Sequence, residues 1–320
     1  MKIKNKIQAI TLVVLIIFSG NYYAQYDAMF SQYMFNEVSI NPAYAGSKGA
    51  MSATMLHRQQ WVNFPGRPVT TSFSLHGPMM GDKMGAGLTV LNDRIGVLNR
   101  NLIYASYAYR IKLNKNSNLS FGVMTGVDNQ INKYSNLKIS DANGNGVSDP
   151  TFSQSTPNLT AMNFGSGIYF NTKTFYAGLS VPRMLDNYGR FNYVGQSYKV
   201  TKLDPSKFTY YFVVGNLFKI NNDLKLRANA MVKAVQNAPV QLDLGANLLI
   251  NNIIWTGLSY RSNSAATLLL GVQANKQLLV SYNFDYGLNS IQKYSQGSHE
   301  IVVNYLFSYK GKKIVTPRYF

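Results

Sequence analysis

From Ala50 onward the chain repeats segments of roughly 9–11 residues, the length a tilted transmembrane strand requires, in which apolar or aromatic side chains alternate with small or polar ones. In "VSYNFDYG", Tyr282, Phe284 and Tyr286 fall on one face and Ser281, Asn283 and Asp285 on the other, because strand side chains alternate with a period of two. "PVQLDLGANLLI" sets Leu242, Leu244, Ala246, Leu248 and Ile250 against Asp243, Gly245 and Asn247, and "HEIVVNYLFSYK" aligns Ile301, Val303, Tyr305, Phe307 and Tyr309. Each run closes on Asn, Gly, Asp or Lys, and tight connectors such as 219–225, Asn251-Asn252 and 275–277 join neighbours, as antiparallel hairpins require. A soluble sandwich also alternates, but its strands are shorter and its outward face is polar.

About fourteen such runs, in a chain whose greasy faces are continuous, predict an all-β fold: an outer-membrane antiparallel β-barrel. In lipid every backbone polar group must be paired, so a sheet can span only by closing on itself. Aromatics near the run ends, among them Tyr104, Tyr107, Tyr109, Tyr169 and Phe170, fit interfacial girdles. Two stretches break the rhythm, Asn136 to Leu159 and Arg183 to Lys199; both predict long external loops and are candidates for contact with partners.

The N-terminus explains how such a chain reaches a membrane. Lys2, Lys4 and Lys6 precede an apolar run from Ile7 to Phe18 that is too short to span a bilayer, the pattern of a secretory signal peptide cleaved after Ala24. The expected division is a signal peptide over 1–24, an irregular segment over 25–49, a transmembrane barrel over 50–310 and a basic tail over 311–320. That tail ends on Phe320, an aromatic terminus set behind two lysines, a proline and an arginine rather than at the end of an alternating strand. With no cysteine anywhere, stability has to come from hydrogen bonding and burial.

Charge and candidate chemistry narrow the function. The net charge of +18 becomes +15 once the three signal lysines are removed, but the cations are scattered singly, as in Arg110, Lys133, Lys199, Lys219, Lys233 and Arg261, and no nucleic-acid recognition element accompanies them. Basic loops and a lumen that favours anionic groups are the expectation. Thirteen acidic residues and three histidines, His57, His76 and His299, are spread along the chain, so no catalytic residues, cofactor site or metal triad is assigned and the protein is read as non-enzymatic. "DANGNGVSD" places Asp141, Asn143, Asn145 and Asp149 at calcium-loop positions with Gly146 at the turn. Phe152 stands where the bidentate Glu belongs, so a plain Asn-Gly surface turn competes with calcium. His57 and Arg58 could form a ligand or acid site, or simply end a strand before an interfacial Trp61 and a turn at Pro65-Gly66.

The segment between signal and barrel has its own signature. "SINPAYAG" places Asn41, Pro42, Ala43, Tyr44, Ala45 and Gly46 in one block, and "RQQWVNFPGRPVT" follows with Arg58, Gln60, Trp61, Pro65, Gly66, Pro68 and Thr70. These two blocks resemble the PorP/SprF family of type IX secretion system membrane proteins, densely over about fifty residues and loosely thereafter. The resemblance implies an outer-membrane barrel that anchors or guides secreted cargo, including surface or gliding adhesins, through the cargo's C-terminal signal domain. It also implies contacts with the secretion machinery and outer-membrane lipid. An outer-membrane channel for small or hydrophobic solutes is the alternative, since a barrel does not fix its function. Asn41-Pro42 forces an extended or turning backbone, and Ala43, Ala45 and Gly46 permit close approach. Residues 25–47 are therefore expected to tuck into the barrel lumen or its periplasmic mouth.

Overall fold

The computed structural model describes residues 28–80, 82–134, 155, 158–185 and 203–307. Among them, fourteen antiparallel strands close into one barrel: β1 (Met51–Gln59), β2 (Val69–Met79), β3 (Met84–Ile95), β4 (Leu98–Lys112), β5 (Asn118–Asn132), β6 (Leu159–Asn171), β7 (Phe175–Val181), β8 (Thr209–Lys219), β9 (Leu224–Val235), β10 (Gln241–Ile250), β11 (Ile254–Arg261), β12 (Ala265–Gln273), β13 (Leu278–Gly287) and β14 (Ser298–Phe307). Every strand pairs with its sequence neighbours, and β1 closes the ring on β14 through a continuous register from Met51 opposite Phe307 to Gln59 opposite His299. No strand is left with an open edge, as hydrocarbon demands. No described helix is long and apolar enough to cross a membrane.

All the long connections lie at one end. The end with the start of β1 and the end of β14 carries only short ones, at 80–83, 113–117, 172–174, 220–223, 251–253 and 274–277. The opposite end carries 60–68, 133–158, 182–208 and 288–297, together with short connections at 96–97, 236–240 and 262–264. Outer-membrane barrels keep short turns in the periplasm and long loops outside, which orients this one. The strands that flank both interrupted stretches meet those stretches at the outer end; most of the stretches' own residues, like 1–27, the calcium-loop candidate 141–149 and the basic tail, lie outside the described set.

Alternation decides which way each side chain points. On β13, Val280, Tyr282 and Tyr286 are exposed to lipid while Ser281, Asn283 and Asp285 are buried in the lumen. On β4 the same rule separates the aromatics. Tyr107 and Tyr109 face outward, but Tyr104 has the opposite parity, is 4% exposed and donates to Asp128 across the lumen wall. Tyr169 is likewise buried inside, so it and Tyr104 do not belong to an interfacial girdle. Proximity to a strand end suggested the girdle; odd and even position overrides it.

The lumen is occupied by the chain's own N-terminal segment. An eight-stranded barrel is filled by its own side chains and a 16–18-stranded one leaves an aqueous pore, so fourteen strands enclose more space than lumenal side chains fill. Residues 28–50 occupy that space. Phe30, Tyr33, Met34, Phe35, Val38, Ile40, Ala43, Tyr44 and Ala45 are all buried there. They share one apolar cluster with lumenal Leu56, Met231, Leu249, Trp255, Leu269, Leu279 and Val302. Each fully buried large apolar side chain contributes about 1.5–3 kcal/mol, so the inserted segment acts as the barrel's hydrophobic core.

Candidate functional site

The inserted segment, hereafter the plug, is clasped first at the outer end. The Ser31 and Gln32 amides donate to the two carboxylate oxygens of Glu300 at 2.9 and 2.7 Å, and the Gln32 side-chain amide donates to the Glu300 carbonyl at 3.2 Å. Arg58 reaches Asp285 at 2.7 Å, Glu300 at 3.2 Å and the Ser31 hydroxyl at 2.9 Å. Arg261 pairs with Asp243 at 2.9 Å and donates to the Phe30 carbonyl at 3.0 Å. All five charged side chains are buried. Two guanidiniums face three carboxylates; Thr267 and Gln241 of the wall donate to Asp285 and Asp243, and the plug's amides supply the donors to Glu300 beside Arg58. The plug thus completes the hydrogen bonding of these buried charges.

Half-way down, Arg227 donates to the Met34 carbonyl at 3.2 Å and to Glu37 at 3.5 Å, with its guanidinium 5.9 Å from the Phe35 ring centre and 5.7 Å from that of Tyr176. Phe35 meets Trp255 edge-on at 5.9 Å, and Tyr44 meets Tyr169 edge-on at 5.2 Å, with Tyr176 stacked behind. Asn229 donates to the Tyr33 hydroxyl at 2.8 Å, and Ser74 donates to Asn36. Ser180 donates to the Ile40 carbonyl at 2.7 Å.

The Asn-Pro-Ala-Tyr-Ala-Gly block does the closest packing. Asn41 is extended (φ −136°, ψ 108°), as a residue before proline should be, and Pro42 opens a short 3-10 turn, Pro42–Tyr44. The Asn41 side chain accepts from the Ala43 amide at 3.0 Å and donates to the Ile168 carbonyl of β6 at 3.1 Å. It fixes the turn and ties it to the wall together. Ala43 lies so close to Gly122 of β5 that any Cβ there would overlap the plug backbone, and Ala45 lies equally close to Gly85 of β3. Gly46 needs its φ of +73°, and its amide donates to His76 Nδ1 at 3.1 Å. Arg110 donates to the Ala45 carbonyl at 3.3 Å. Valine at Gly122 is therefore expected to unseat 42–46 while leaving the strand ladder paired. Ion conductance in planar bilayers should rise several-fold with the folded form's electrophoretic mobility retained, and unchanged conductance would refute the close fit.

The second sequence block is divided. Strand alternation sends Arg58 into the lumen and His57 outward, where His57 Nδ1 lies 2.9 Å from Thr71 Oγ1, so the two do not form a joint site. Gln60, Trp61, Pro65 and Gly66 belong to the outer 60–68 connection. That connection is tied to its neighbour by bonds from the Trp61 amide to Ser298, from Val62 to the Gly297 carbonyl and from Gln296 to the Val62 carbonyl. Sequence spacing missed Arg227, Arg261, Asp285 and Glu300 as plug contacts and Asp243 as the partner that holds Arg261. Their signal was a charge on the wet face of an otherwise apolar strand.

Comparison with known proteins supplies a family. A model described as type IX secretion system membrane protein PorP/SprF matches residues 22–305. No curated protein matches the chain. Among solved structures, the Acinetobacter baumannii outer membrane protein Omp33 aligns over 81% of this chain and 98% of its own at 6% identity and a TM-score of 0.47. A Pseudomonas aeruginosa FadL homologue aligns over 86% and 94% at 10% identity and 0.45. The TodX deltaS2S3 mutant monoaromatic hydrocarbon channel aligns over 91% and 96% at 12% identity and 0.46.

Proposed function

Because the chain belongs to the PorP/SprF family of type IX secretion system membrane proteins, and so is an outer-membrane component of that system, we propose that it is a sealed, non-enzymatic anchor that holds or guides secreted cargo at its outer face. The observation that supports this reading over a solute channel is the filled lumen. A transport pore keeps a hydrated passage lined by charge. Here the cross-section is taken by buried aromatics and by guanidiniums turned onto plug carbonyls. A barrel that conducts nothing through its centre offers its rims, and the broad outer rim carries the long connections. Cargo, surface or gliding adhesins included, would dock through its C-terminal signal domain.

The test is affinity capture of a tagged copy from mild-detergent outer membranes beside an untagged control. Enrichment of a cargo C-terminal domain or of periplasmic type IX components is the expected result. Nothing above the control, together with solute flux in liposomes at the level of an open pore, would replace the anchor with a channel.

A further inference from the structure

The direction in which the plug threads the barrel carries a consequence for topology. At the N-terminal end of the described chain, Ser31 and Gln32 bond to Glu300, the third residue of β14, and Phe30 bonds to Arg261, the last residue of β11. Arg58 and Asp285, which complete this clasp, lie within three residues of the outer ends of β1 and β13. All four strands end there at the same rim, the one with the long connections. Successive plug residues then descend. Tyr33 meets Asn229, Asn41 meets Ile168, and Ala43 meets Gly122. Ala45 and Gly46 reach Gly85 and Gly77 beside the 80–83 turn, at the rim where β1 begins.

The chain therefore crosses the lumen from the outer mouth to the periplasmic mouth and turns back into β1 at Ser47–Ala50. We infer that the N-terminal end of the plug, at Ala28, opens onto the cell surface through the outer mouth of the barrel, although both ends of the strand ring are periplasmic. A segment that merely folded up from the periplasm into the lumen would meet Gly85 and Gly77 with both its ends. This one meets them only with its C-terminal end. Ala28 and Met29 are half-exposed at the outer mouth, whereas everything from Phe30 to Phe35 is buried. An external probe that never enters the lumen thus reaches Ala28 and Met29, with the buried clasp directly beneath them. The inference rests on the threading and on barrel orientation, and stands whether or not cargo binds.

The absence of any native cysteine makes the test direct. Single cysteines are placed at Ala28 (A28C), at exposed Lys293 on the outer rim (K293C) and at exposed Lys115 in the 113–117 turn (K115C). Each is treated with a membrane-impermeant maleimide on intact cells, on permeabilised cells and as detergent-purified protein. A28C and K293C are expected to label in intact cells, and K115C only after permeabilisation. A28C protected in intact cells but reactive after permeabilisation would overturn the inference. So would labelling of K115C with protection of K293C, which reverses the barrel, and so would a thiol at 28 that stays unreactive even in purified protein.

Discussion

Removal of residues 28–47 is expected to convert a sealed barrel into a conducting one. The plug brings Phe30, Tyr33, Met34, Phe35 and Tyr44 into the lumen, and fourteen strands alone leave a cross-section between that of a filled eight-stranded barrel and that of an open 16–18-stranded pore. Flux of small sugars into liposomes should rise about tenfold or more over the intact chain, because the remaining lumenal side chains do not meet across that width. The cost is equally specific. Leu56, Leu249, Leu269, Leu279 and Val302 lose their partners to water, and Glu300 loses both plug amides. The deletion should therefore unfold at lower denaturant than the full chain. Gly85→Val with Gly122→Val, which crowds the plug without removing it, gives a second route to the same opening. Liposomes that stay tight with both variants folded would show that the lumen is closed by something other than the plug.

The strand faces were legible in the sequence because a period of two is a local property: Tyr282 against Asn283, or Leu244 against Asp243, needs no knowledge of the partner strand. The plug was legible only as far as its backbone chemistry went. Asn41-Pro42 announced an extended entry to a turn, and Ala43, Ala45 and Gly46 announced close approach, but nothing local named Gly122 or Gly85 as the surfaces approached. The clasp was out of reach for the same reason. Arg58 is separated by more than two hundred residues from Asp285 and Glu300, and only closure of β1 on β14 brings the three together.

One signal in the sequence did mark the plug's wall. A barrel with a wet lumen alternates without interruption, yet "LLI" at 248–250, "LLL" at 268–270 and "IVV" at 301–303 place Leu249, Leu269 and Val302 on the lumenal face between apolar neighbours. Apolar residues on both faces of a transmembrane strand imply that something dry lies inside. Trp255 belongs to the same set, and its edge-on contact with Phe35 is the dry side of the plug.

The charged clasp sets the second large effect. Arg58→Ala leaves Asp285 and Glu300 buried without their guanidinium, and stranding a buried charge in this way costs about 3–5 kcal/mol, more than the ion pair itself is worth. The urea midpoint of Arg58→Ala in lipid vesicles should fall accordingly. Trp255 reports it if Trp61, the only other tryptophan, is replaced by phenylalanine. Adding Asp285→Ala to Arg58→Ala should recover part of the loss, because one uncompensated carboxylate disappears with its partner. Arg58→Lys keeps the charge but cannot serve Asp285, Glu300 and Ser31 at once, so it should fall between the two. If the double variant were instead as unstable as the sum of its parts, the clasp would be a set of independent contacts. The Ser31 and Gln32 amides on Glu300 would then be one separate hold on the plug's outer end, which Glu300→Gln would loosen without disturbing the Arg261 bonds to Asp243 and the Phe30 carbonyl.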